Sequence, residues 1–299
     1  AGWAASGTRG AEAVPELPEV EALARFLSEQ AGGQRIERIE LAALSALKTF
    51  RPPVDSLRGE VVHGVERRGK HVCFHVGAGW MVVHLSRGGW VQWREQVPAA
   101  RAKMGKGPLA LRVGLSGGAG FDLTEAGTEK RLAIWIVDDP VEVEGVARLG
   151  PDPLADRFDV AALGAVLASR PGNLKTVLTD QSALAGVGNA YSDEILHAAH
   201  LSPFKAAGKL TPVEVEGLHA ALVTTLGDAV ARSLGLPAKG LKAEKRTGMA
   251  VHGRAGLPCP VCGDTVREVS FATRSLQYCP TCQTGGRTLA DRRLSRLLK

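Results

Sequence analysis

The chain has 299 residues, 44% of them hydrophobic and 23% charged, with a net charge of +6. That is enough for one large domain or two ordinary ones with a sizeable core, and a run of about 18 apolar residues is missing, so no transmembrane helix is expected. The N-terminal AGWAASGTRGAEAV lacks the apolar stretch of a secretory signal, and the five cysteines therefore point to a reducing compartment. The basic balance suits nucleic acid without establishing it.

From Val20 to Leu27 apolar residues recur at helical spacing, and Gly32-Gly33 ends the run. From about Arg35 to Asp139 short β-rich runs follow: RIERIEL, EVVHGVE, KHVCFHV, WMVVHL, LALRVGL and RLAIWIV. Many short strands at close spacing predict a sandwich or barrel rather than alternating β-α units. Cys73, inside one apolar run, reads as a small buried hydrophobe. The prolines of Leu149-Gly-Pro-Asp-Pro-Leu154 mark an interdomain linker. Beyond it the chain is helical: FDVAALGAVLAS, then about Asn189 to His200, then a helix opened by Thr211 as N-cap with Pro212 in the first turn and running to about Leu234. Gly235 to Arg254 is polar, basic and glycine-containing, and reads as loop. The chain ends in a basic tail, GGRTLADRRLSRLLK.

Two motifs carry chemistry on residue type alone. Cys259-x2-Cys262 and Cys279-x2-Cys282, sixteen residues apart, suit one tetrahedral structural zinc ion. All four ligands come from the protein, which leaves no open position for catalysis. Arg274, between the two pairs, is either a solvated tip or a rigid probe for phosphate. In Ala185-Gly-Val-Gly-Asn-Ala-Tyr191, Gly186 and Gly188 permit a close backbone approach, and Asn189 opens a helix. Unpaired N–H groups and the helix dipole at that point suit an anion such as phosphate, while a plain helix corner with Asn as N-cap is the alternative.

A third motif, Pro15-Glu16-Leu17-Pro18-Glu19-Val20-Glu21, precedes both. In that order, PELPEVE, GVGNAY and the paired C-x2-C motifs resemble the formamidopyrimidine-DNA glycosylase / endonuclease VIII family over residues 15 to 283, and PELPE leans to the formamidopyrimidine branch. The resemblance implies an α+β multidomain fold: an N-terminal β-sandwich with a flanking helix (15–148), a linker (149–158), a helix–two-turn–helix domain (159–250), a zinc-binding β-hairpin (251–284) and a basic tail (285–299). It implies a base-excision-repair glycosylase with AP lyase activity, acting on double-stranded DNA that contains damaged bases or abasic sites. It further implies a monomeric bacterial enzyme of the cytoplasm and nucleoid, with no membrane partner. The amine of Pro15 would attack C1′ and form a Schiff base. Glu16 would be the general acid/base, with Glu19 supporting it. Lys70 would hold a phosphate near the lesion, and Asn189 and Arg274 would clamp the phosphates flanking the flipped nucleotide.

The chain departs from the family at three places. Arg87 stands where Met is usual, and Lys130 and Leu132 stand for an Arg and a Phe, in the loops that fill the hole left by the flipped base. Arg87 and Lys130 would bond the orphaned base and Leu132 would wedge into the stack. Gly235 to Met249 is shorter than the family loop that covers flipped 8-oxoguanine, so weakened selectivity for that lesion is expected. Finally, Val14 precedes Pro15. An amide nitrogen cannot form a Schiff base, so with Val14 retained the scaffold would bind DNA without catalysis. GTG encodes valine and also starts bacterial translation as Met, which is removed before Pro. Residues 1–14 are thus expected to be a disordered or non-native extension, with Pro15 as the working N-terminus. A zinc-dependent protein-interaction module would explain the cysteines but neither other motif.

Overall fold

The computed structural model describes residues 14–105, 107–271 and 275–289. Arg274, most of the N-terminal extension and residues 290–299 of the tail lie outside the described residues. Helix α1 (Leu17–Ala31) begins directly after the PE dipeptide. Leu17, Val20, Leu23, Leu27 and Ala31 form its buried stripe, the three- and four-residue spacing of an amphipathic helix.

Two antiparallel four-stranded sheets follow. One has the order β1 (Ile36–Leu41), β6 (Leu109–Leu115), β7 (Gly120–Glu125), β5 (Gly89–Arg94); the other runs β2 (Val62–Arg68), β3 (His71–Val76), β4 (Gly79–His84), β8 (Ala133–Val137). Alternation decides what faces inward. In β3, Val72, Phe74 and Val76 join the core, while His71, Cys73 and His75 turn to the opposite face. Phe74 stacks on Phe121 of β7 at 5.1 Å, closing the sandwich. Cys73 is fully buried beside Val82 and Val137, as its apolar setting suggested, and burial pushes its thiol up to about 12.

After the short α2 (Glu144–Ala147) and the proline linker come α3 (Val160–Ser169), α4 (Leu174–Thr179), α5 (Asn189–Ala198) and α6 (Pro212–Ser233). Thr211 and Glu214 cap α6 reciprocally, Thr211 N–H to Glu214 Oε2 at 2.9 Å and Glu214 N–H to Thr211 Oγ1 at 3.3 Å. Leu17 belongs to the core of this helical domain, whereas Val20 and Leu23 belong to the sandwich core, so α1 joins the two. Arg67 adds ion pairs to Glu21 of α1 (2.8 Å) and Asp152 of the linker (2.7 Å).

The segment after α6 differs from the loop expected of it. It contains α7 (Leu241–Thr247). Ala238 and Leu241 are buried in the sandwich core, the Trp90 indole N–H donates to Ala238 O at 3.0 Å, and the Lys242 ammonium lies 4.7 Å from the Trp90 ring. Two apolar residues hidden among lysines suffice to dock it. The chain then forms the hairpin β9 (Arg267–Ser270) and β10 (Ser275–Tyr278), followed by α8 (Pro280–Thr284).

Candidate active site

Pro15 and Glu16 lie where the start of α1 meets the start of α5, and both are buried. The glycine-asparagine turn holds an anion there, but it is the Glu16 carboxylate rather than a phosphate. It accepts N–H bonds from Gly188 (2.6 Å), Ala190 (2.9 Å) and Tyr191 (3.3 Å). Helix α5 has no side-chain N-cap of its own, and Glu16 supplies one from 172 residues away. The glycines are there for this approach. A Cβ on Gly188 would fall 2.4 Å from the Glu16 carboxyl carbon, and one on Gly186, at φ +86°, would fall 2.7 Å from Leu17 Cβ.

Around this contact the charges interlock. Glu19 accepts the Glu16 N–H at 2.8 Å and the Tyr191 hydroxyl at 2.7 Å. The Lys245 ammonium, carried in by α7, donates to Glu19 Oε2 and to the carbonyl of Val14, both at 2.9 Å, and lies 3.5 Å from Glu16 Oε1. Burial disfavours the ionised Glu16, but Lys245, Lys70 and the α5 amides outweigh it and hold the carboxyl down at about 2. Lys70 sits in the β2–β3 turn and faces the same group. Burial and the nearby Lys245 together lower its pKa, with Glu16 and Glu19 pulling the other way. Burial likewise opposes the Lys245 ammonium, yet the two glutamates hold its pKa above the ordinary lysine value.

A pH dependence follows from Glu16. Its folded pKa is depressed from 4.5 to about 2, so the unfolded chain binds the extra proton between those values. The stability it contributes is complete above pH ~4.5 and is lost as pH falls towards ~2, on the order of 3 kcal/mol in all. Thermal melts between pH 6 and pH 3 should therefore flatten in Glu16→Gln relative to the parent. Equal slopes would contradict this account.

The zinc module is sewn to the same helix. Cys259 and Cys282 sulfurs are 3.9 Å apart and those of Cys262 and Cys279 3.3 Å. Four thiolates on one tetrahedral zinc stand roughly 3.8 Å from one another, so the set fits a structural ion. His197 of α5 was not foreseen; its Nε2 lies 3.3 Å from Cys259 Sγ and ties helix to knuckle. Asn189 Nδ2 donates to Ser275 O at 2.8 Å, and Asp193 binds Gln277 N–H (3.2 Å), His252 Nδ1 (2.8 Å) and the Lys175 ammonium (2.6 Å). The buried Asn189 Oδ1 has no hydrogen-bond partner among the described residues.

Pro15, Glu16, Glu19, Lys70 and Asn189 thus lie together around the start of α5. The loops carrying Arg87 and Lys130 lie side by side, joined by Ala126 N–H to Gly88 O at 2.9 Å, and both side chains are exposed. Leu132 does not join them. It is 1% exposed in the sandwich core, and its N–H is bonded to Glu125 at 2.8 Å, so no wedge projects from that position. Lys245 was missed as a site residue because its neighbours in sequence describe only a basic loop.

The fold and site define a zinc-finger protein of the helix–two-turn–helix class with a buried acid–amine centre. Residues 14–124 match the formamidopyrimidine-DNA glycosylase N-terminal domain, 149–237 the formamidopyrimidine-DNA glycosylase H2TH domain, and 256–285 a zinc finger found in FPG and IleRS. The formamidopyrimidine-DNA glycosylase of Symbiobacterium thermophilum is 36% identical over 281 residues, 90% of this chain and 89% of that one. An uncharacterized formamidopyrimidine-DNA glycosylase-like protein of Mycobacterium tuberculosis is 62% identical over 151 residues, 50% of this chain and 94% of the relative. Lactococcus lactis Fpg in complex with abasic-site DNA superposes with a TM-score of 0.79 at 25% identity, over 90% of this chain and 99% of that one. MutM bound to DNA with carbocyclic 8-oxo-G gives 0.79 at 27% identity, over 90% and 100%. The chain belongs to the formamidopyrimidine-DNA glycosylase family. Among the described residues no helix is long and apolar enough to cross a membrane.

Proposed function

We propose that the chain is a base-excision-repair DNA glycosylase with AP lyase activity, working through a Schiff base on Pro15. The observation that carries this is the convergence of Pro15, Glu16, Glu19 and Lys245 in one buried cluster at the start of α5, faced by the half-buried Lys70. The same helix holds the zinc hairpin, so one element links reaction centre and duplex grip. Duplex DNA with damaged bases or abasic sites is the substrate, and the bacterial nucleoid is where it would be met.

Glu16 starts as a carboxylate, which sets the order of proton movements. The free amine of Pro15 attacks C1′, the C1′–N bond forms, and the bond to the base breaks with its electron pair leaving on the base. Glu16 takes the proton released by the amine and returns it to O4′ as the sugar ring opens to the iminium. Water then takes a C2′ proton from the iminium, and the electron pair of that C–H bond expels the 3′ phosphate and nicks the strand. Lys70, Asn189 and Arg274 act on phosphates, and Arg87 and Lys130 on the unpaired opposite base. The docking of Ala238 and Lys242 on Trp90, with Leu241 in the sandwich core, supports a site little suited to enclosing 8-oxoguanine. Oxidised pyrimidines, ring-opened purines and abasic sites are the preferred substrates on this reading. Preference for 8-oxoguanine opposite cytosine over all other lesions in a duplex panel would refute it.

One observation favours a second reading, duplex binding without chemistry. With Val14 present the Pro15 nitrogen is an amide, and Lys245 bonds the very carbonyl that blocks it. Borohydride trapping on an abasic duplex separates the two. We expect a covalent adduct from a chain beginning at Pro15 and none from the chain with Val14 retained. Adduct from neither, with both still bound to the duplex, would leave the binding reading.

A further inference from the structure

Lys245 is buried in the reaction centre, although nothing in its sequence surroundings assigns it a role. Its ammonium is enclosed by Glu16 just before α1, Glu19 in its first turn, the Tyr191 ring of α5 at 5.0 Å and the Val14 carbonyl. Lys70 faces the cluster from the β2–β3 turn. Arg232 of α6 stands behind α7, paired with Glu244 at 3.0 Å. The Val14 carbonyl carbon is bonded directly to the Pro15 nitrogen. A group 2.9 Å from that oxygen is therefore a near neighbour of the nitrogen itself.

Charge balance gives this placement its meaning. Two carboxylates beside an amine would normally hold it protonated and useless as a nucleophile. Here Glu16 and Glu19 face two ammonium groups, the buried Lys245 and the half-buried Lys70, so the two charges of each sign already balance. A protonated Pro15 would add an unbalanced positive charge in a dry site. With Lys245 removed, a protonated Pro15 would restore neutrality instead.

We propose that Lys245 is a positioning residue of the reaction centre: placed against the Pro15 nitrogen, its ammonium offsets Glu16 and Glu19 and keeps the free proline amine neutral and nucleophilic. This rests on the Schiff-base reading above and deepens it. A cationic neighbour is a general means of freeing an amine for attack. It also gives the short α7 segment a task, since the helix that replaces a long loop delivers the charge that tunes the nucleophile.

The test uses chains beginning at Pro15: the parent, Lys245→Met and Lys245→Arg. Borohydride trapping on an abasic duplex is measured from pH 5 to pH 9. In Lys245→Met the acid limb should move up by about one pH unit, a loss of roughly ten-fold near pH 6 that largely recovers at pH 9. Lys245→Arg should keep the parent's profile. An unmoved limb in Lys245→Met, or an equal loss at every pH, overturns the proposal. A second measurement needs no DNA. NMR titration of the Pro15 amine in the free protein should show its pKa raised in Lys245→Met, and an unchanged value overturns the role even if trapping is seen. Failure of every chain to trap, with that titration still displaced, would refute the proposed reaction while sustaining the role. Trapping by the chain that retains Val14, abolished by Lys245→Met, would make Lys245 itself the nucleophile and also overturn it.

Discussion

Replacing Glu16 by glutamine should lower abasic-site cleavage, by a chain beginning at Pro15, about 10²- to 10⁴-fold, the range for removing one proton-transfer group. The substitution is nearly isosteric. An amide oxygen can still accept from Gly188 or Ala190, so α5 keeps part of its cap. What the amide cannot do is take the proton from the attacking amine and return it to O4′. Duplex affinity should therefore change little while the single-turnover rate collapses. Glu16→Ala is the harsher variant. Both variants leave Lys245 without one of its counter-charges, but this one also strips the acceptor from three α5 amides, so it should destabilise the fold further. Comparing the two on an abasic duplex, with melting curves alongside, separates chemistry from support. Cleavage by Glu16→Gln within ten-fold of the parent would remove Glu16 from the proton path.

The sites that were legible in sequence are those where one local pattern fixes one local structure. Thr211-Pro-Val-Glu214 announces a capped helix, and the structure shows both capping bonds. The paired C-x2-C motifs announce a metal site at any level of reading. Strands β3, β4 and β8 are dense in Val and Ile and stood out. Strand β7 did not, because Asp122 and Thr124 interrupt it. Asp122 is tolerated in the core by Arg112 at 2.7 Å and Arg94 at 3.0 Å, partners that come from other strands. Strand β5 opens on a glycine, which reads as loop until Gly89 is seen packed against Leu85 O.

The turn at Gly186-Val-Gly188 shows the deeper limit. Its residues suit an anion such as phosphate or a plain helix corner capped by Asn, and the choice depends on a residue 172 positions away, since the Glu16 carboxylate takes the place. Lys245 is the same problem inverted. One lysine among Lys239, Lys242, Lys245 and Arg246 is buried, and the choice is made by Leu241 docking in the sandwich core rather than by the basic run. Long-range pairing of charges, not propensity, assembles this centre, and such pairing leaves no periodic trace in a single sequence.

Metal removal should abolish specific duplex binding, by about 100-fold or more, while the sandwich stays folded. Strands β9 and β10 are four residues each, and a two-stranded hairpin of that length is not stable alone. Its apolar support is thin: Val251 and Val266 around the cysteines, and Val269, Leu276 and Tyr278 beyond. The ion supplies the missing folding energy by holding four thiolates that would otherwise repel one another. Its loss also reaches α5. The Asn189 amide would lose its bond to Ser275 O, and His197 its contact with Cys259, so the start of α5 loosens together with the hairpin. The sandwich core shares no residue with the zinc cluster and should melt as before. The measurement is fluorescence anisotropy with a duplex carrying an abasic-site analogue, before chelation, after it, and after zinc is restored. Recovery of affinity with zinc would mark the ion as the cause. Unchanged affinity in protein shown by elemental analysis to be metal-free would mean that the hairpin folds on its own or grips no DNA. Cys279→Ala extends the test, since this ligand is fully buried and begins the second knuckle. It should reproduce the chelated state and resist rescue by added zinc.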